Sequence, residues 1–129
     1  RFNQLDNLII PSAVTAIGGF AFADNALTSI TIPDSVLGVG SNAFESNQLN
    51  SVSIGSGLTS IQPYVYSGNQ ITSLVIGSNV TSIGTAAFQN SKLSSVTIPD
   101  GVGIIDVCAF RGNQLTEIVL PDSVTSVGK

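Results

Sequence analysis

The sequence predicts a solenoid of short parallel strands, and three observations predict it. A 22-residue unit, seen whole in NALTSITIPDSVLGVGSNAFES from Asn25 to Ser46, recurs without insertion from Asn3, Asn47, Asn69, Ser91 and Asn113. Within each unit apolar and polar residues alternate at one fixed place, which is the period of a half-buried strand. A proline or glycine follows at a constant register and ends that strand. Units of this kind pack only on their neighbours, so the copies stack as coils around one continuous core. The expected organisation is a single solenoid domain over 1–129, with units 3–24, 25–46, 47–68, 69–90 and 91–112 and a partial sixth over 113–129.

Numbering each unit from 1 to 22, position 1 is Asn3, Asn25, Asn47, Asn69, Ser91 and Asn113. A polar residue this regular beside core positions is expected to turn inward and bond the backbone of the loop joining two units. Position 3 is Leu or Ile throughout, and positions 6 and 8 are Leu, Ile or Val. These predict a strand around positions 5 to 8, paired in parallel and in register with its copies about 4.8 Å away. Position 9 (Pro11, Pro33, Gly55, Gly77, Pro99, Pro121) stops it, and the Pro-Asp at Asp34, Asp100 and Asp122 begins a turn.

An apolar pair at positions 12 and 15, such as Val36 and Val39, points back inward from the opposite wall. Gly18, Gly40, Gly84 and Gly128 turn the chain at position 16, but Gln62 and Asp106 stand there too, so that turn does not demand positive φ. Positions 19 and 20 (Ala21-Phe22, Ala43-Phe44, Val65-Tyr66, Ala87-Phe88, Ala109-Phe110) predict an aromatic stack along the axis. A single 3₁₀ or α turn is expected over positions 17 to 21. The Tyr66 hydroxyl is expected to reach water or a partner.

Composition removes several function classes. Charged residues are 9% of the chain, against roughly 25% in ordinary soluble domains. The net charge is −4 and there is no basic stripe, which argues against nucleic acid and against docking on anionic membranes. No apolar run approaches the roughly 18 residues of a membrane span, so no membrane insertion is expected. No signal peptide is recognisable. Both ends cut through a unit and neither carries a recognisable cap, so a fragment of a longer array is expected. Cys108 is alone and pairs with no other cysteine in the chain.

Leu-x-x-Ile-x-Ile-Pro followed by Val-Thr-x-Ile-Gly-x-x-Ala-Phe resembles the BspA-like class of bacterial leucine-rich repeats. LTSITIPDSV…NAF, LSSVTIPDGV…CAF and LTEIVLPDSV carry the resemblance, which covers the whole chain. The units differ from that class in carrying Asn where a Cys is common and in running one residue shorter. The resemblance implies a leucine-rich-repeat solenoid of the α/β horseshoe class, β-rich, with the parallel sheet on its concave face and short 3₁₀ or helical turns and extended segments on the convex side. It also implies a bacterial cell-surface or secreted, extracellular protein with a part in adhesion.

On such a sheet the side chains not facing the core are those at positions 4, 5 and 7. They make the candidate partner-binding face: Thr28, Ser29 and Thr31; Asn50, Ser51 and Ser53; Thr72, Ser73 and Val75; Ser94, Ser95 and Thr97; Thr116, Glu117 and Val119. The face is nearly uncharged and lacks the Trp, Tyr and Arg that concentrate binding energy, so it suits repeated weak contacts with a protein or host-surface ligand. A structural spacer whose units associate end to end is the alternative, since unpaired coil edges can stack. A lattice or ice binder is a minor one, because Thr and Ser recur at strand spacing.

Nothing in the sequence assembles a catalytic constellation. There is no His, the commonest general base and metal ligand, and a single Cys. No catalytic residue, cofactor or resident metal is expected. Calcium, which takes six to eight oxygens, would find at most a weak site near Asp100 and Asp122, one unit apart, with Ser123. Asn79-Val80-Thr81 matches a glycosylation sequon, expected to be without consequence in a bacterial chain.

Overall fold

The computed structural model describes residues 3–129. The reading of Arg1 and Phe2 as the tail of a preceding unit lies outside them. Each unit makes one coil, and among the described residues nine short strands fall on two sides of the stack. The first side holds β2 (Ser29–Ile32), β4 (Ser51–Ile54) and β6 (Ser73–Val75), which form a three-stranded parallel sheet in the order β2-β4-β6. Its register is Ser29 to Ser51 to Ser73 and Thr31 to Ser53 to Val75, one unit per step. The first unit forms no strand at Asn7–Ile10, and the fifth and sixth are joined there only by a parallel bridge between Thr97 and Val119.

The second side was expected to be merely extended, yet it forms ladders of its own at positions 14 and 15. β1 (Ala16–Ile17) pairs with β3 (Gly38–Val39), and β5 (Ser60–Ile61), β7 (Ser82–Ile83), β8 (Ile104–Ile105) and β9 (Ser126–Val127) pair in succession, all in parallel. Between the two sides lies the predicted turn at positions 9 to 12. There the Val36 N–H donates to Pro33 O at 3.1 Å, and Val80, Val102 and Val124 repeat the bond.

The third side corrects the sequence reading. No helix occurs among the described residues, and positions 17 to 20 are turns. Ala43 N–H donates to Gly40 O at 3.3 Å and Glu45 N–H to Asn42 O at 3.2 Å, two successive tight turns. The N–H groups at positions 18, 20 and 22 point along the solenoid instead. Those of Asn42, Phe44 and Ser46 donate to Pro63, Val65 and Ser67 O of the next coil at 3.2, 2.9 and 3.0 Å. A helical turn spends its N–H groups within the segment and would leave these intercoil bonds unmade.

The cost of this turn wall is backbone conformation. Position 18 has positive φ in every whole unit, at Phe20 (59°), Asn42 (61°), Tyr64 (60°), Ala86 (54°) and Cys108 (58°), and position 22 does the same. None of these five is Gly, so a position that tolerates any side chain makes a strict demand on the main chain. Position 16, where Gly recurs, keeps negative φ, as Gln62 and Asp106 imply.

The absent helix also removes the horseshoe. A helix is about 10 Å across and a strand spacing about 4.8 Å, so a helical convex wall wedges neighbouring units apart. Here the wall opposite the sheet is itself paired strands, and the aromatic rings repeat every 5.4–5.7 Å. The architecture is a three-walled parallel β-solenoid consistent with a leucine-rich-repeat solenoid, not an α/β horseshoe.

The core runs down the middle as predicted columns. Leu27, Leu49, Ile71 and Leu93 are fully buried, as are Val36, Val80 and Val102. Phe22, Phe44, Tyr66, Phe88 and Phe110 stack nearly parallel, with interplanar angles of 7° to 18°. Tyr66 departs from expectation: it is 1% exposed and its hydroxyl has no hydrogen-bond partner. Register in the ladder holds the ring where a Phe would sit, so the oxygen cannot reach the surface. Burial pushes its ionisation well above the ordinary tyrosine range.

Position 1 seals the coil-to-coil joints as expected. The Asn69 carboxamide accepts from Leu49 N–H at 3.0 Å and donates to Phe44 O and Tyr66 O, both at 3.0 Å. Asn47 and Asn113 repeat the pattern.

Candidate functional site

The strand face is what the fold leaves free. At positions 6 and 8 the side chains of β2 and β4 point into the core, and at 5 and 7 they point out, so that Ser29-Ile30-Thr31-Ile32 reads exposed, buried, exposed, buried. All the predicted partner-binding residues stand on this face. Thr28, Ser29, Thr31, Asn50, Ser51, Thr72, Ser73, Val75, Ser94, Ser95, Thr97, Thr116, Glu117 and Val119 are exposed, and Ser53 is half-buried in the central strand.

Two kinds of row run along it. Ser29, Ser51 and Ser73 lie side by side, a row of hydroxyls one strand apart. Thr31, Ser53 and Val75 form the other, which begins at Ile9, 82% exposed, and continues through Thr97 to Val119, 71% exposed. Small hydroxyls therefore alternate with bare aliphatic side chains, offering hydrogen bonds and apolar contact on one plane. Thr72 turns part of its capacity inward, its hydroxyl donating to Asn50 O at 3.4 Å.

Between the fifth and sixth units a groove of about 500 Å³ opens on this face. Ser94, Ser95 and Thr97 line one side, Thr116, Glu117 and Val119 the other, and Asp100 sits at its rim. Sequence reasoning missed this groove, since the repeat pattern is as regular here as elsewhere. Ile9, at the same outward register of the unit, stands in the row of Val75 and Val119.

Of the calcium candidates, Asp100 and Asp122 are exposed and Ser123 is half-buried. Ser123 is committed to the backbone: its hydroxyl accepts from Gly101 N–H at 3.1 Å and donates to Val102 O at 2.8 Å. Among the described residues no three His, Cys, Asp or Glu side chains come close enough to hold a metal ion. Cys108 lies on the turn wall, its thiol donating to Lys129 O at 3.5 Å. Asn79 of the sequon donates its amide to Ser56 O at 2.8 Å. No helix among the described residues is long and apolar enough to cross a membrane.

A family model described as a BspA type leucine rich repeat region matches residues 1–113 and 81–129, in six copies. Among solved structures, the crystal structure of a leucine rich cell surface protein from Faecalibacterium prausnitzii is similar, at 22% identity and a TM-score of 0.49. The match covers 81% of this chain and 42% of that one, so the chain spans less than half of its length. No curated protein matches the chain.

Proposed function

The chain belongs to the BspA-type leucine-rich repeat family, and from that premise we propose that it is a non-catalytic interaction and adhesion module of a bacterial surface or secreted protein. It binds a protein or host-surface ligand through the strand face. The observation that carries this reading is the division of labour within the unit. Nearly every other recurring residue is consumed by stacking, whereas the residues at positions 4, 5 and 7 are exposed in every coil but for Ser53. Family membership supports the surface location.

Binding energy on such a face is spread thin. It has neither a deep pocket nor the aromatic and Arg anchors of a hot spot, so affinity accumulates over coils. The test is the triple variant Thr31→Gln, Ser53→Gln and Thr97→Gln, which fills the middle row with bulky uncharged side chains. Beads coated with it should adhere to cultured epithelial cells or deposited matrix at least tenfold less than wild type, with thermal unfolding unchanged. Equal adhesion removes the face from the reading.

A second reading, a spacer array stacking end to end, has one observation in its favour. The turn wall bonds in a single direction, each coil giving N–H groups to the next and carbonyls to the one before, so any two coils are complementary. Light scattering distinguishes it: self-association must then rise with concentration and persist in the triple variant.

A further inference from the structure

The charges of this molecule are sorted by wall. Positions 4 to 10, the strand face and its rim, carry Asp6, Asp34, Asp100, Glu117 and Asp122, all exposed, and no base. The wall of positions 11 to 15 carries no charge. On the remaining arc Asp24, Glu45 and Asp106 are balanced by Lys92, Arg111 and Lys129. Lys92, at position 2, is separated from the face by the buried position 3, and its ammonium is hydrogen-bonded to Gln70 Oε1 at 3.1 Å. The net negative charge of the described residues therefore lies on the open face, at Asp6 and Glu117, and on the turn that rims it, at Asp34, Asp100 and Asp122.

We propose that the strand face docks an extended, cationic polypeptide segment, with Lys or Arg side chains seated at the acidic rim. The proposal rests on the interaction-module reading above and names the chemistry of the partner. Complementary charge steers encounter and sets register at such surfaces. The groove between the fifth and sixth units shows how one such side chain fits. Asp100 at its rim and Glu117 in its wall supply carboxylates, Ser94, Thr97 and Thr116 line it with hydroxyls, and Val119 offers an apolar surface for the aliphatic stem.

Spacing refines the partner. Asp34 and Asp100 occupy the same position three coils apart, or about 14 Å at roughly 4.8 Å per coil. An extended chain rises about 3.3 Å per residue, so two cations about four residues apart meet both carboxylates, and both point to the same side. The carboxylates are dispersed along the face and form no metal-sized cluster among the described residues.

The probe is a fluorescein-labelled 12-residue Ser/Thr peptide with Lys at every fourth position, followed by fluorescence anisotropy at low salt, with Gln in place of Lys as the control peptide. Wild type should bind the Lys peptide at least tenfold tighter than the Gln peptide, and the difference should shrink steeply as salt is added. Asp34→Asn, Asp100→Asn and Glu117→Gln together should abolish the preference. Asp24→Asn, Glu45→Gln and Asp106→Asn, which remove the same charge from the turn wall, should change it less than threefold. Equal loss in both triples means that net charge alone attracts the peptide and overturns the proposal, as does equal binding of the two peptides. If the Gln-blocked face loses adhesion but the carboxamide triple keeps it, the face binds a partner that is not cationic: this proposal falls and the interaction-module reading stands.

Discussion

Replacing Tyr66 with Phe should stabilise the protein, because the buried hydroxyl loses its hydration and gains no partner. Leaving a neutral polar group unsatisfied costs about 1–3 kcal/mol, and the ring itself is kept. A rise in the thermal midpoint of Tyr66→Phe checks this, and a fall contradicts it. The advantage should widen in alkali. The folded-state ionisation is raised by burial above the unfolded value of about 10, so the folded protein holds a proton that the unfolded chain releases. That contribution is complete below about pH 10 and is lost above it, at up to about 1.4 kcal/mol per pH unit, in wild type only. Ser91 is the complementary case. Its hydroxyl accepts from Ile71 N–H at 3.3 Å, as the Asn side chains of the ladder do, but is too short to repeat their donation to two carbonyls. Ser91→Asn should extend the ladder to Tyr66 O and Phe88 O and stabilise by about 0.5–1.5 kcal/mol in urea unfolding.

At the scale of the element, glycine means different things at two registers. Gly68, at position 22, has φ +70°, and a Cβ there would meet Ser46 Oγ at an ordinary 3.5 Å. Gly68→Ala should therefore cost about 1 kcal/mol from backbone conformation alone. Gly18, at position 16, has no positive φ and nothing within 4 Å of a new Cβ, so Gly18→Ala should lie within about 0.5 kcal/mol of wild type in the same measurement. The contrast shows what the sequence made legible. Strand, stop and core columns were readable because side chains enforce them: Ile30, Ile32, Pro33 and Phe44 each have one physical role. The turn wall was not, because its organising force is backbone bonding between coils. Phe20, Asn42, Tyr64, Ala86 and Cys108 share a left-handed conformation and no side-chain property. Ala-Phe pairs suggested a helical turn because a single apolar contact face satisfies either structure.

For the whole molecule, the candidate face was legible by subtraction: once stacking had claimed the core and the Asn ladder, Thr28, Ser29, Thr31 and their copies remained. The groove beside Glu117 was not, since the repeat pattern is as regular there as elsewhere along the chain. The intercoil bonds of the turn wall have one last consequence, and it is mechanical. They lie along the solenoid axis, as do those of both sheets. A pull applied between the two ends strains them one coil at a time, like a coil spring drawn out turn by turn. Each coil that lets go frees 22 residues, about 75 Å of extended chain. Single-molecule stretching should then show a sawtooth of steps near that length, and one rip of the entire chain would contradict it. A solenoid built this way yields to sudden load in small instalments while its remaining coils stay folded.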